Sequence, residues 1–230
     1  MKRAVELFTF ERRSSRSPMI EQTWQTRSER EESFISVAAS HWEMVVTRQW
    51  GTARLTVRGP ETKATTSPIP QDAEFFGIKF SLGTFMPCLP PGQLVDGSLT
   101  LPRATKKSFW LDGSGWEFPG TDNADVFVDR LVRAGLLVHD PVVSAALHGD
   151  VEGLSTRSVE RRVSRATGLA RGAIGQIRRA ERAAELLCRG VSPLDAAAQV
   201  GYADQPHLTR SLKRFAGRTP SQIATSARGG

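Results

Sequence analysis

Arginines occur at matching positions in two stretches of the C-terminal region. When this region is aligned with itself at an offset of 49 residues, Arg161 matches Arg210 and Arg165 matches Arg214. Within each stretch the two arginines are four residues apart, which places them on one face of a helix. A guanidinium group binds phosphate oxygens, or the edge of a guanine, through two parallel hydrogen bonds. This spacing therefore predicts two similar helices that bind nucleic acid.

The repeat includes the residues that would build each helix. Apolar positions match on a neighbouring face, and serine, aspartate and glycine match at the ends: Val159 with Leu208, Val163 with Leu212, Ser155 with Asp204, and Gly168 with Gly217. Serine and aspartate are favoured N-caps, and glycine is favoured where a helix ends. We predict two capped amphipathic helices, each with a buried stripe and a basic row. Two amphipathic surface helices without a binding role are the alternative.

Other helical patterns place this pair in a helix-turn-helix layout. Apolar residues recur at three- and four-residue steps over 171–188, and Ser192 and Gly201 bound a short helix before the second repeat. A helix over 171–188 spans roughly 27 Å. With parts of the flanking units, the separation of the two repeated helices approaches about 34 Å, one turn of B-DNA. The pair could therefore enter successive major grooves.

The exposed side chains of these two helices have the chemistry to read base pairs. Arginine pairs with guanine, glutamine with adenine, and glutamate accepts a hydrogen bond from cytosine. The positions expected to face DNA are Arg157, Ser158, Glu160, Arg161 and Arg165 in the first helix, and Gln205, His207, Thr209, Arg210, Lys213 and Arg214 in the second.

The net positive charge lies in the same region. The chain has 230 residues, with 31 Lys and Arg against 24 Asp and Glu, and a net charge of +7. Residues 1–140 hold 17 basic and 17 acidic residues, whereas residues 141–230 hold 14 basic and 7 acidic ones. No apolar run reaches the ~20 residues of a membrane span, and no signal peptide is recognisable. We therefore expect a cytoplasmic protein with no membrane partner.

The N-terminal half has the pattern of short strands. Apolar and polar residues alternate at 55–57 and 76–80, and Gly-Pro, Asp-Gly and Pro-Pro-Gly turns separate such runs. Short strands at this spacing predict a barrel or sandwich. Helical patterns begin at residue 122, so we place a domain boundary at 115–122.

Catalytic and metal-binding patterns are not found in the sequence. No two of the four histidines form a metal-ligand pair, and no nucleophile elbow, phosphate-binding loop or dinucleotide motif occurs. Cys88 and Cys188 have no histidine nearby, which favours packing over a role as nucleophile. We expect no catalytic residue, no metal site and no cofactor.

Two segments resemble a known family. Residues 191–223, VSPLDAAAQVGYADQPHLTRSLKRFAGRTPSQI, resemble the second helix-turn-helix of the AraC/XylS family of bacterial transcription regulators. Residues 154–187, LSTRSVERRVSRATGLARGAIGQIRRAERAAELL, resemble its first recognition helix and linker helix. The resemblance covers about residues 140–225. It implies that the base-facing residues are Arg157, Glu160 and Arg161 in the first unit, and Gln205, His207, Thr209 and Arg210 in the second.

The resemblance also implies a role for the strand-rich part. In such regulators this part is often a cupin-like barrel that binds an effector or a partner subunit. The aromatic residues of this half could form the core or line an apolar pocket. The candidates for an effector pocket are Trp42, Trp50, Phe85 and Trp110.

Together these features predict an α+β protein of two domains. Residues 1–120 form a β-rich, cupin-like domain for effector binding or dimerisation, and residues 121–230 form an all-α domain with two helix-turn-helix units joined by a long linker helix. The predicted function is sequence-specific binding of double-stranded DNA in transcription regulation, without enzymatic activity. The predicted partners are operator DNA, a small-molecule effector and RNA polymerase, for a monomer or homodimer. The alternatives are a ligand-independent regulator whose N-terminal domain only oligomerises, and a cupin-like enzyme with an appended DNA-binding module.

Overall fold

The strands of the N-terminal half form where apolar and polar residues alternate. The computed structural model describes residues 11–149 and 153–228 and has a mixed α+β architecture, as predicted. The strands are β1 (Glu11–Arg13), β2 (Ile20–Ser28), β3 (Glu32–Ser36), β4 (Glu43–Gln49), β5 (Thr52–Arg58), β6 (Thr65–Ile69), β7 (Ala73–Phe80), β8 (Thr84–Phe85), β9 (Ser98–Thr100), β10 (Ser108–Leu111), β11 (Ser114–Glu117) and β12 (Val138–His139).

The main sheet has six strands and two covered faces. Its strand order is β1-β2-β7-β4-β5-β9, and each neighbouring pair is antiparallel. Successive residues of a strand point to opposite faces. In β4, Met44 and Val46 therefore enter the hydrophobic core, while Glu43, Val45 and Thr47 line a cavity on the other face. The two-stranded β3–β6 sheet lies across this cavity.

The core face of the sheet is covered by the β10–β11 hairpin and by the first helix, α1 (Ala124–Arg133). Phe109 and Trp116 of the hairpin pack near Phe127 of α1, and Val128 and Leu131 are fully buried in the same cluster. By packing, α1 thus belongs with the strands. This core cluster extends to Leu137, beyond the predicted boundary at 115–122.

The C-terminal half is helical and has a second hydrophobic core. The helices are α2 (Pro141–His148), α3 (Thr156–Thr167), α4 (Arg171–Cys188), α5 (Pro193–Val200), α6 (Gln205–Ala216) and α7 (Pro220–Arg228). The matching apolar residues of the repeat are all buried in this core, together with residues of α4: Val159, Val163, Leu208, Leu212, Ile174 and Ile177. The repeat therefore marks the buried faces of α3 and α6.

We predict that Gly77→Ala destabilises the N-terminal domain. Gly77 of β7 pairs with Trp24 of β2, and a methyl group at this position would overlap the Trp24 indole ring. Overpacking of a buried site costs about 1–3 kcal/mol. Urea unfolding should therefore show a lower midpoint for Gly77→Ala. Gly115→Ala in β11 is the control, since no atom lies within 4 Å of its added methyl group. Equal midpoints for the two variants would contradict this account.

Candidate nucleic-acid interface

Both predicted recognition helices begin at capped N-termini. In α3 the Ser158 amide donates to the Ser155 hydroxyl at 3.2 Å, and in α6 the His207 amide donates to the Asp204 carboxylate at 2.6 Å. Both helices end at a glycine with positive φ, Gly168 at 74° and Gly217 at 66°. Because caps satisfy backbone groups that the helix leaves unpaired, they define the first and last turns.

The short supporting helices are capped as well. Asp140 accepts from the Val142 amide at the start of α2, and Ser192 accepts from the Asp195 amide at the start of α5. α5 ends at Gly201, which has a φ of 77°. The first helix-turn-helix unit therefore consists of α2 and α3. The second consists of α5 and α6 with the turn at Gly201. The helix α4 joins the two units.

The predicted DNA-facing residues lie on the accessible side of these helices. Seven of them are exposed, and Ser158, Glu160, His207 and Thr209 are half-buried. The exposed residues are Arg157, Arg161, Arg165, Gln205, Arg210, Lys213 and Arg214. The residues nearest the helix N-termini, which reach base edges in helix-turn-helix proteins, are therefore open to a ligand.

An ion pair holds α3 against α2. The Arg162 guanidinium donates to both oxygens of Asp140, at 2.8 and 2.9 Å. Burial raises the pKa of Asp140, but the hydrogen bonds from Arg162 and from the Val142 amide outweigh it, so the pKa is lowered overall. Arg162 was not among the predicted residues. Its position between Arg161 and Val163, near the buried stripe, is the only signal that could have separated it from the basic row.

In the second unit, Tyr202 packs against α6 through its ring and its hydroxyl group. The Tyr202 hydroxyl is 2.7 Å from the Ser211 hydroxyl, and the His207 ring packs edge-on against Tyr202. Arg179 of α4 lies over the other part of the Tyr202 ring, 4.6 Å from its centre. Thr209 donates its hydroxyl hydrogen to the Gln205 carbonyl. His207 and Thr209 therefore have partly fixed side chains, whereas Arg210 projects freely.

The last matched arginines of the basic rows, Arg165 and Arg214, have different neighbours in the two units. Arg165 lies 5.5 Å from the ring centre of Phe85, which belongs to the N-terminal domain. Arg214 lies 5.0 Å from the ring of Phe215, its neighbour on α6. Both arginines are at the C-terminal ends of their helices. Their position suits contact with the DNA backbone more than contact with base edges.

The N-terminal domain contains a half-open cavity of about 780 Å³. This volume is within the range of pockets for small molecules. Aromatic and aliphatic side chains, hydroxyl groups and charged groups all contribute to its lining. Representative residues are Trp24, Phe34, Val45, Phe75, Thr26, Ser67, Glu43 and Arg58.

The four aromatic residues predicted for an effector pocket lie outside this lining. Trp42 is buried and stacks on Phe80, with ring centres 4.0 Å apart. Phe85 is buried in the C-terminal core, while Trp50 and Trp110 are 82% and 48% exposed. The structure does not bring these four side chains together. Strand alternation explains the difference, because the lining residues of β4 are the neighbours of the core residues, not the core residues themselves.

Two groups of charges lie on the cavity wall. Arg58 binds Glu43 at 3.3 Å and Glu61 at 3.0 Å, and it donates to the Ser36 hydroxyl. Burial raises the pKa of Glu43, although Arg58 and the Trp24 indole act against it. Nearby, burial of Glu21 is outweighed by contacts with His41 and Lys79, which lower its pKa to about 2.

Within the described ranges, no group of three or more His, Cys, Asp or Glu side chains is placed to hold a metal ion. Among the same residues, no helix is long and apolar enough to cross a membrane.

The arrangement of α2–α3 and α5–α6 around α4 is that of a protein with two helix-turn-helix units. A family model described as a helix-turn-helix domain matches residues 150–226. The resemblance to the AraC/XylS regulators is confirmed for this part of the chain, and residues 150–226 form an AraC-type helix-turn-helix domain. A helix-turn-helix domain of this type supports DNA binding by this chain.

Other comparisons give only distant matches. No curated protein sequence matches the chain significantly. A crystal structure of ToxT from Vibrio cholerae O395 has 11% sequence identity and a TM-score of 0.40, covering 91% of this chain and 98% of the ToxT chain. ToxT from Vibrio cholerae in a P21 crystal form has 10% identity and a TM-score of 0.41, covering 89% and 97%.

We predict that Asp140→Asn weakens the first unit in a pH-dependent way. Asparagine keeps the N-cap but removes the charge that binds Arg162. Because the pKa of Asp140 is lowered by folding, its contribution is present at neutral pH and is lost as pH falls below about 4. The free energy of unfolding should drop by about 1 kcal/mol or less at pH 7, since Arg162 is partly exposed.

Asp204→Asn is the matched control for this prediction. Asp204 is also an N-cap aspartate, but among the described residues it has no basic partner. Urea unfolding of both variants at pH 7 and at about pH 2.5, below the pKa of an unfolded aspartate, would test the account. A loss that is the same for the two variants, or that does not shrink in acid, would show that the ion pair contributes nothing.

Proposed function

We propose that this protein is a sequence-specific regulator that inserts α3 and α6 into successive major grooves of double-stranded DNA. The observation that carries the proposal is the pairing of two capped, repeated helices whose N-terminal side chains are accessible. α4, with 18 residues, joins the two units. Its length of roughly 27 Å suits a separation of one helical turn of DNA.

The charge distribution supports a DNA ligand. The whole net charge of +7 belongs to residues 141–230. Neutralisation of phosphates by lysine and arginine releases counterions, so affinity falls steeply with added salt. Lys213, Arg165 and Arg214 are on the later turns of the two helices and are suited to this role. The same electrostatic attraction would favour any duplex, so sequence preference must come from the first turns.

Each first turn offers distinct base chemistry. Arg157 and Arg161 can pair with guanine, and Glu160 between them can accept from cytosine. On α6, Gln205 matches adenine and Arg210 matches guanine. Thr209 has its hydroxyl hydrogen committed to the Gln205 carbonyl, which leaves its methyl group for contact with a thymine methyl.

We predict that Arg210→Ala weakens binding to the preferred site by about 1–3 kcal/mol, because a two-pronged contact with guanine is lost. Selection of bound duplexes from a random pool gives the preferred site, and titration then measures the loss. Arg189→Ala, in the exposed turn after α4, is the control with the same change in charge. If Arg210→Ala weakens binding to all sequences equally, Arg210 contacts phosphate instead. A palindromic selected site would indicate a homodimer.

We further propose that the cavity in the N-terminal domain binds a small-molecule effector. Its lining combines apolar side chains with hydroxyls and ion pairs, which fits an amphipathic molecule. The Thr26 hydroxyl and the His41 Nδ1 atom are buried in the lining without a hydrogen-bond partner in the described structure. Buried polar groups of this kind favour a ligand that can bond to them. A purely assembling N-terminal domain is the alternative, and it requires no such cavity.

We predict that Ser67→Phe reduces ligand binding by filling the cavity. Ser67 lines the cavity from β6, whereas its neighbour Thr66 is exposed on the other face. An amphipathic fluorescent anion, anilinonaphthalene sulfonate, is a suitable probe, since its emission rises in apolar surroundings. The full chain should bind it, Ser67→Phe should bind it several-fold more weakly, and Thr66→Phe should resemble the unmodified protein. Equal binding by all three proteins would place the probe elsewhere.

A further inference from the structure

The N-terminal domain contacts the C-terminal ends of both recognition helices. At Gly168, which ends α3, a Cβ atom would lie 2.8 Å from the Gly92 amide nitrogen in the 3₁₀ turn Pro91–Gln93. At Gly217, which ends α6, a Cβ atom would lie 2.7 Å from Ile35 Cγ2. These two glycines correspond in the repeat. The N-terminal domain therefore meets the two units at equivalent points.

The contact at α6 includes two backbone hydrogen bonds. The Ala38 amide donates to the Phe215 carbonyl, and the Ala64 amide donates to the Arg214 carbonyl, both at 2.7 Å. The last carbonyls of a helix have no partner within the helix, so external donors stabilise this end. We call these two hydrogen bonds and the Gly217 contact the α6 latch.

The two units are held in different ways. α3 packs on α2, on β8 and on the 3₁₀ turn, and its contact with that turn is more extensive than its contact with α4. α4 packs instead on α5, α6 and α7. The covalent link between these two groups of helices is short, Gly168–Ala170. Rotation about this link would move α6 relative to α3, and the α6 latch opposes that rotation.

Electrostatic interactions also link Glu181 of α4 with the N-terminal domain. Glu181 is near Lys79 and His41, whose charges lower its pKa, although burial raises the pKa overall. The α6 latch contacts the recognition helix of the second unit directly.

We propose that the α6 latch sets the spacing of α6 from α3, and that the β3–β6 wall of the cavity regulates it. The inference rests on the proposed function, because it takes α3 and α6 as the helices that enter DNA. Val37 and Thr65 are the chain neighbours of the two latch donors, Ala38 and Ala64, and both line the cavity. A ligand that moves this wall moves the donors, and with them the end of α6.

The ion-pair network in the wall provides a specific route. Ser36 donates to Glu61 at 2.6 Å, and Arg58 donates to both. The backbone of Glu61 is also paired with that of Ala39, next to the Ala38 donor. An effector that competes for Arg58 or Glu61 therefore acts on the segments that carry the latch.

Gly217→Asn in the full chain tests the latch. Asparagine tolerates the left-handed conformation at a helix end, so the expected effect comes from its Cβ meeting Ile35. Gly190→Asn is the matched control. Gly190 also has positive φ, at 85°, but no atom lies within 4 Å of its added Cβ.

The first measurement is amide hydrogen exchange without DNA. We expect the Ala38 and Ala64 amides to exchange about tenfold faster in Gly217→Asn than in the unmodified protein, and to be unchanged in Gly190→Asn. Unprotected amides in the unmodified protein, or the same rates in both variants, would overturn the latch. Because no DNA is present, this result does not depend on the proposed function.

The second measurement is affinity for duplexes that carry the selected half-sites with one base pair added or removed between them. The unmodified protein should lose affinity about tenfold for either change, and Gly217→Asn should lose markedly less. An equal loss in both proteins would overturn the role of the latch in spacing. If the unmodified protein binds no duplex, the proposed function fails, whereas the exchange result still decides whether the latch exists.

A second substitution covers the case in which Gly217→Asn does not fold. Ile35→Ala removes the side chain nearest the new Cβ, while the Ala64 Cβ remains 3.2 Å from it. The double variant Gly217→Asn with Ile35→Ala should recover both the exchange protection and the spacing preference. Failure of this double variant to recover either property, with normal thermal unfolding, would show that the contact with Ile35 is not the cause.

Discussion

The unpaired backbone groups at helix ends organise the C-terminal half of this molecule. Every helix leaves its first amides and last carbonyls without partners, and these groups need donors or acceptors from elsewhere. At the start of α2, α3, α5 and α6, a side chain two or three residues upstream accepts the hydrogen bond. At the end of α6, the acceptors are satisfied by amides of a different domain. Capping therefore decides both where the recognition helices begin and what they are attached to.

The N-terminal domain depends on a sheet with two covered faces. One face packs against α1 and the β10–β11 hairpin, and the other lines the cavity. The strand β4 shows how one segment serves both, since Met44 enters the core and Glu43 faces the cavity. The wall opposite the sheet, β3–β6, is continuous with the segments that hold α6. The fold thus connects a candidate ligand cavity with a candidate DNA-binding helix through very few residues.

Much of the helical domain could be predicted because its signals are local. Ser155, Asp204, Gly168 and Gly217 act through hydrogen bonds and backbone angles within a few residues, so their types alone predict where α3 and α6 begin and end. The predicted helix over 171–188 is α4 (Arg171–Cys188), because its apolar residues recur at three- and four-residue steps. The role of Arg162 could not be read in this way. Its ion pair joins Asp140 at the start of α2, and its place beside the buried stripe does not identify that partner.

The residues that line the cavity could not be predicted from local sequence patterns. Aromatic content suggested Trp42, Trp50, Phe85 and Trp110, but the cavity is lined by other residues, because pairing of distant strands decides which face each side chain occupies. By itself the sequence determined the two capped helices, their basic rows and the α+β order of the chain, all of which depend on short-range periodicity. Only the tertiary structure decided the packing of α1 against the strands, the cavity lining and the docking of α6 on the N-terminal domain. Those features depend on contacts between residues far apart in the chain, whose geometry no short segment specifies.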